Sequence, residues 1–128
     1  MILVVDDDDD VRGTIVEALR TLAYETRGAA DGGQALALFR TRHPQLVILD
    51  SRLAGTSGLD VLEEMKNLER RIPLIVATGH PEDAELWRRS EGVPVLIKPF
   101  GLAELADIVE RVLADSESES ESEIVPSE

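Results

Sequence analysis

The residues best placed to do chemistry are acids that close apolar runs. Asp50 ends Leu46-Val47-Ile48-Leu49, and Asp6 and Asp7 end Ile2-Leu3-Val4-Val5. Short runs of this kind read as strands buried on both faces. The carboxyl edge of a parallel sheet is where open α/β folds place their sites. Carboxylates crowded at that edge repel one another, so the pocket should hold a hard divalent cation with oxygen ligands. With the cation bound, it could also take an anionic phosphoryl group. Asp8, Asp9 and Asp10 prolong the first acidic run. They open a helical pattern, where acids complement the helix dipole and need no further role.

Two later strand ends carry polar groups as well. Thr78, followed by Gly79, ends Leu74–Ala77, and Lys98 ends Val93–Ile97 ahead of Pro99-Phe100. A hydroxyl there could donate to a phosphoryl oxygen, although a strand-end Thr often bonds its own backbone. A lysine there would pair with the acids and later with a phosphoryl group. The plainer reading is a surface lysine in a turn. Lys98-Pro99 is also a candidate cis peptide. His43, before Pro44, has no companions and reads as structural.

These residues need a scaffold, and the apolar pattern supplies one. Strands are expected at Ile2–Val5, Tyr24–Gly28, Leu46–Leu49, Leu74–Ala77 and Val93–Ile97. Between them, apolar residues recur at helical spacing: Val11, Ile15, Leu19 and Leu22; Leu36 and Phe39 behind a candidate N-cap, Asp31; Leu59, Leu62, Met65 and Leu68. A shorter fourth helix starts at Pro81-Glu82 and carries Leu86 and Trp87, and a fifth runs from Leu102 to Ala114. Strict alternation implies an α/β fold, a flavodoxin-like (βα)5 doubly wound parallel sheet. Right-handed crossovers leave the strand order 2-1-3-4-5 as the natural solution. Strands 1 and 3 are then neighbours, and Asp6, Asp7 and Asp50 converge.

The chain has 128 residues, enough for one domain with its own core. It has no cysteine, which excludes disulfides and thiolate metal sites. No apolar run approaches the roughly 18 residues of a membrane span. Met1 leads straight into a strand with no basic n-region, so no signal peptide is expected and a cytoplasmic location is the default. The net charge of −13 argues against direct binding of nucleic acid. Six of the acids lie in residues 115–128, without a base. A domain over 1–114 is expected, followed by a disordered, acidic Ser/Glu-rich tail over 115–128.

Taken together, Val4-Val5-Asp6-Asp7, the segment Leu49-Asp50 to Ser57-Gly58, Ala77-Thr78-Gly79 and Lys98-Pro99-Phe100 resemble the signature blocks of response regulator receiver domains of two-component signalling. The match spans residues 2 to 114 in the right order. The form Pro-Val-Leu-x-Lys-Pro-Phe resembles stand-alone and hybrid-kinase receivers. The resemblance implies that Asp50 accepts a phosphoryl group from the phosphohistidine of a sensor histidine kinase or histidine phosphotransfer protein. It implies Mg²⁺ bound by Asp7, Asp50 and the backbone carbonyl of Arg52, with Asp6 acting through a water. Thr78 and Lys98 would hold two phosphoryl oxygens. Such a chain would be no enzyme beyond catalysing its own phosphorylation and dephosphorylation. A downstream protein would be met on the face of helix 4, strand 5 and helix 5, by a monomer or a weak phosphorylation-linked dimer.

Some positions differ from the family pattern. Ala54 stands where Pro is usual, and Val95 where Tyr or Phe usually swings inward. Arg52 and His80, two residues beyond Asp50 and Thr78, should flank the site mouth, either tuning its lifetime or as exposed loop residues. Two other classes stay open. A haloacid-dehalogenase-like phosphatase would place its nucleophile in the Asp-x-Asp of the first strand. A pseudo-receiver would bind a partner without being phosphorylated.

Overall fold

The structure, a computed structural model, describes residues 1–69 and 71–124, with side chains for 1–69 and 71–116. Its elements are β1 (Ile2–Val5), α1 (Asp9–Thr21), β2 (Thr26–Ala29), α2 (Gly32–Arg42) and β3 (Leu46–Asp50). A small antiparallel hairpin follows, β4 (Arg52–Leu53) with β5 (Thr56–Ser57). Then come α3 (Gly58–Leu68), β6 (Leu74–Thr78), α4 (Pro81–Ser90), β7 (Val95–Ile97) and α5 (Leu102–Ile124). The main sheet is parallel, in the order β2-β1-β3-β6-β7. With the hairpin left out of the count, that is the expected 2-1-3-4-5 of a flavodoxin-like fold. Among the described residues, no helix is long and apolar enough to cross a membrane.

Strand pleating divides the core in two, because successive side chains point to opposite faces. Leu3, Val5, Val47, Leu49, Leu74 and Val76 face α2, α3 and α4, packing with Phe39, Met65 and Trp87. Ile2, Val4, Leu46, Ile48, Ile75 and Ala77 face α1 and α5, packing with Ile15, Leu19, Leu105 and Val109. Every residue of β1, β3 and β6 is buried. That is why these strands read as continuous apolar runs rather than alternating ones.

The helix starts follow local chemistry. Asp8 caps α1 by accepting from the N–H groups of Asp10 and Val11, Asp31 caps α2 through Gln34 N–H, and Ser57 caps α3 through Asp60 N–H. Asp9 and Asp10 fill the first turn of α1, the dipole role expected of them. His43 is the C-cap of α2 with φ 47°, a structural place. The Lys98-Pro99 peptide is cis.

Three boundaries differ from expectation by two residues or more. β2 starts at Thr26 rather than Tyr24, because Ala23 at φ 71° and the Tyr24 N–H to Leu19 carbonyl bond still belong to the end of α1. β7 starts at Val95 rather than Val93, since Pro94 has no N–H to give the ladder and contributes only its carbonyl, to Val76 N–H. α5 continues past Ala114 to Ile124, through a stretch expected to be disordered. Nothing between Leu102 and Ile124 is Gly or Pro, and Glu favours helix, so the backbone meets no stop signal. Residues 125–128 of the expected tail lie outside the described residues.

One glycine fixes where α3 meets the sheet. A Cβ on Gly58 would collide with the Asp50 carbonyl oxygen and press on the Ser51 backbone, while Gly58 N–H donates to Ser51 O at 3.0 Å. Gly13, in the exposed middle of α1, has no neighbour within 4 Å of such an atom. Urea unfolding should therefore give opposite signs. Gly13→Ala should gain about 0.5–1 kcal/mol, and Gly58→Ala should lose about 1–3 kcal/mol. Equal effects would contradict this close approach.

Candidate functional site

Sheet register brings the acids together. Val5 pairs with Leu49, so Asp6 and Asp50 emerge side by side from adjacent strands. Asp50 stands opposite Ala77, and Thr78 opposite Ile97, one residue before Lys98. Asp6 is 1% and Asp50 9% exposed, while Asp7 faces solvent. Lys98 Nζ lies 2.7 Å from Asp6 Oδ2 and 3.1 Å from Asp50 Oδ2. Asp6 Oδ1 accepts from Asp8 N–H at 3.0 Å, and Asp50 Oδ1 accepts from Arg52 N–H at 3.2 Å.

One carboxylate oxygen from each of Asp6, Asp7 and Asp50 lies within 4.8 Å of the others. The donors are all oxygen and all anionic, a set that fits a hard divalent cation such as Mg²⁺. The same crowding shows in the electrostatics of the site. Burial pushes the Asp50 carboxyl above its ordinary range, and the neighbouring Asp6 adds to this; Arg52 N–H and Lys98 oppose it without prevailing. Burial works against the Lys98 charge, yet its bond to Asp6 and the pull of Asp50 raise its pKa overall.

Thr78 is fully buried, and its hydroxyl is already engaged. His80 N–H donates to Thr78 Oγ1 at 3.0 Å, the local backbone bond typical of a strand-end Thr. Ser51 Oγ lies 2.8 Å from Thr78 Oγ1 and 2.9 Å from Asp83 Oδ2. One hydroxyl hydrogen cannot serve both contacts. Asp83 is held ionised by its bond from Arg52, with Ser51 helping, so it only accepts. Ser51 therefore gives its hydrogen to Asp83, and Thr78 gives its own to Ser51.

Arg52 and His80 are not aimed at Asp50. The Arg52 side chain reaches the first turn of α4, with Nε 2.8 Å from Asp83 Oδ2 and Nη2 3.4 Å from Glu82 Oε1. His80 Nδ1 lies 3.8 Å from the same Glu82 oxygen. The hairpin sets this course, because Arg52 opens β4, opposite Ser57. Sequence reasoning missed Ser51 and Asp83. Asp83 lies in the first turn of α4, where an acid complements the helix N-terminus and carries no further signal. Ser51 had one available signal, its place directly after a buried strand.

The chain matches the family model described as "Response regulator receiver domain" over residues 2–110. It is 40% identical over 114 residues to the regulatory protein AtoC of Escherichia coli K12, covering 88% of this chain and 25% of that one. It is 33% identical to sporulation initiation phosphotransferase F of Bacillus subtilis, covering 88% of this chain and 92% of that one. The crystal structure of NtrX from Brucella abortus in complex with ATP superposes with a TM-score of 0.92 at 36% identity, over 99% of this chain and 30% of that one. The chain thus spans about a quarter of AtoC's length and nearly all of the phosphotransferase's.

The raised Asp50 carboxyl has a measurable consequence. Its folded value lies above the ordinary 3.8, so the native chain binds that proton more tightly than the unfolded one. Stability from this group falls as pH rises through that window. In chelator at neutral pH, Asp50→Asn should raise the unfolding free energy by about 0.5–2 kcal/mol. The gain should shrink as pH falls through the raised folded value toward 3.8 and level off below it, where the unfolded carboxyl is protonated too. A gain independent of pH would argue against a burial cost at Asp50.

Proposed function

The chain belongs to the response regulator receiver domain family, and from that premise we propose that Asp50 takes a phosphoryl group from the phosphohistidine of a sensor histidine kinase or histidine phosphotransfer protein. The observation that carries this reading is Asp50 beside Asp6, Asp7 and Lys98 at the carboxyl edge of the sheet. An Asp50 carboxylate oxygen attacks phosphorus, the phosphorus–nitrogen bond breaks, and the imidazole leaves with the electron pair. The product is an acyl phosphate on Asp50.

Phosphoryl transfer asks for positioning and charge neutralisation more than for covalent help. Arg52 N–H orients the nucleophile by holding Asp50 Oδ1. Lys98, already 3.1 Å from Asp50 Oδ2, stays to neutralise a phosphoryl oxygen. Thr78 supplies a hydroxyl for a second oxygen. Mg²⁺ would be held by Asp7, Asp50 and the Arg52 carbonyl, with Asp6 acting through a water, and when bound it supplies further charge neutralisation. Asp6 is a poorer nucleophile than Asp50, since it is more deeply buried, 1% against 9% exposed, and Lys98 holds it more closely, at 2.7 Å against 3.1 Å. This disfavours a phosphatase with its nucleophile on β1. We assign the same residues to later hydrolysis of the acyl phosphate by the chain itself.

The receiver domain is placed at 1–114, with 115–128 outside it; the family match ending at residue 110 supports that boundary. Leu86, Ile97 and Leu102 are exposed on α4, β7 and the start of α5. They supply apolar contact for a downstream protein or for a weak phosphorylation-linked dimer of an otherwise monomeric chain. Exchange with a sensor kinase's phosphohistidine would fit a chain working in the cytoplasm.

Acetyl phosphate with Mg²⁺ should add one phosphoryl group, read by intact mass, and Asp50→Asn should add none. Lys98→Ala should slow the reaction by roughly 10²-fold. Phosphorylation retained in Asp50→Asn would sink the assignment of the acceptor.

A further inference from the structure

The hydrogen bonds around Thr78 oppose the role proposed for it. In this arrangement its one hydroxyl hydrogen goes to Ser51 Oγ, and Asp50 is bonded to Lys98 and Arg52 N–H. To meet a phosphoryl oxygen on Asp50, Thr78 must take that hydrogen away from Ser51. We propose that Ser51 and Asp83 form a latch that holds the Thr78 hydroxyl off the phosphoryl position, and that phosphorylation opens it and uncouples Thr78 from the first turn of α4. The inference rests on Asp50 being the phosphoacceptor.

Three features make the latch a defined device. It is sheltered: Ser51 is 6% and Thr78 0% exposed, so water does not readily replace a lost partner. It is directional, because Asp83, ion-paired with Arg52, takes the Ser51 hydrogen and obliges Thr78 to donate toward Ser51. It is anchored at both ends. Ser51 directly follows the acceptor, and Asp83 sits in the first turn of α4, where Arg52 also grips it. Consecutive residues of the β3–β4 segment thus tie α4 to the site. When Thr78 turns to a phosphoryl oxygen, Ser51 loses its donor and the chain of bonds to Asp83 loses one member. Latched and open forms are two discrete arrangements, and a ligand on Asp50 favours the open one.

The molecule contains its own reporter. Trp87 is the only tryptophan, lies one helical turn after Asp83 on α4, and is packed in the core beneath that helix. Trp87 emission can be followed while beryllofluoride with Mg²⁺ is titrated into the full chain. Wild type should show a saturable change, and Asp50→Asn should show none. Ser51→Ala should bind beryllofluoride about three- to tenfold more tightly, the worth of one hydrogen bond. Its free-state emission should already be shifted toward the bound value. Asp83→Ala, at the partly exposed end of the latch, should change affinity in the same direction, and it decides the matter if Ser51→Ala does not fold. In a Thr78→Ala background, Ser51→Ala should give no gain, which a merely structural serine would not require. Folded Ser51→Ala and Asp83→Ala variants with unchanged or weaker affinity would overturn the latch while leaving Asp50 as acceptor. A gain that survives Thr78→Ala would also overturn it. A response equal in Asp50→Asn and wild type would remove the phosphoacceptor reading, and the latch with it.

Discussion

Lys98 Nζ sits between two sheltered carboxylates, 2.7 Å from Asp6 Oδ2 and 3.1 Å from Asp50 Oδ2, with Asp7 close by. One positive charge cannot balance three acids, and the carboxyl edge of the sheet is organised around that deficit. Burial holds the Asp50 carboxyl above its ordinary pKa, so the free chain carries an electrostatic cost at its own site. A chain selected only for stability would not place two acids at the ends of adjacent buried strands. Partial neutralisation suits the pocket to a cation, and a bound cation would make it receptive to an anion.

The scaffold can hold this arrangement because its most rigid parts meet there. β1 and β3 are buried on both faces, and their register sets Asp6 beside Asp50. The start of α3 is pinned against the same strand end by the close approach at Gly58. β6 and β7 set the heights of Thr78 and Lys98. What moves must therefore be small: a hydroxyl, a loop, the start of a helix. The bonds joining Thr78, Ser51, Asp83 and Arg52 are of that scale. They offer a route from the site to α4 in a chain whose position 95, on β7, carries valine rather than an aromatic ring.

The legible residues were those at the ends of apolar runs. Asp6, Asp7, Asp50 and Thr78 lie at the ends of fully buried strands, and Lys98 follows the half-buried edge strand β7, so their placement at one edge followed once the strand order did. The helix cap at Asp31 and the acidic start of α1 at Asp8 were equally legible, because helix starts follow local chemistry. Boundaries were less so. β7 is shortened by a proline that a hydropathy pattern does not register, and α5 runs on where composition pointed to disorder. Arg52 was expected at the site mouth, but the β4–β5 hairpin turns its side chain onto Glu82 and Asp83. Ser51 and Asp83 escaped notice because the bonds that join them to each other and to Thr78 link segments about thirty residues apart.

By itself the sequence determined the alternation of strands and helices, the two-faced burial of the sheet and the identity of the acids at its edge. These follow from hydrophobic periodicity, which is written along the chain. Only the tertiary structure decided which hydrogen each polar group gives and to whom: Lys98 to an acid 92 residues away, Ser51 to one 32 residues away. Such bonds depend on distances of a few tenths of an ångström between segments remote in sequence. Those distances are set by sheet register and helix docking, which no single stretch of residues encodes.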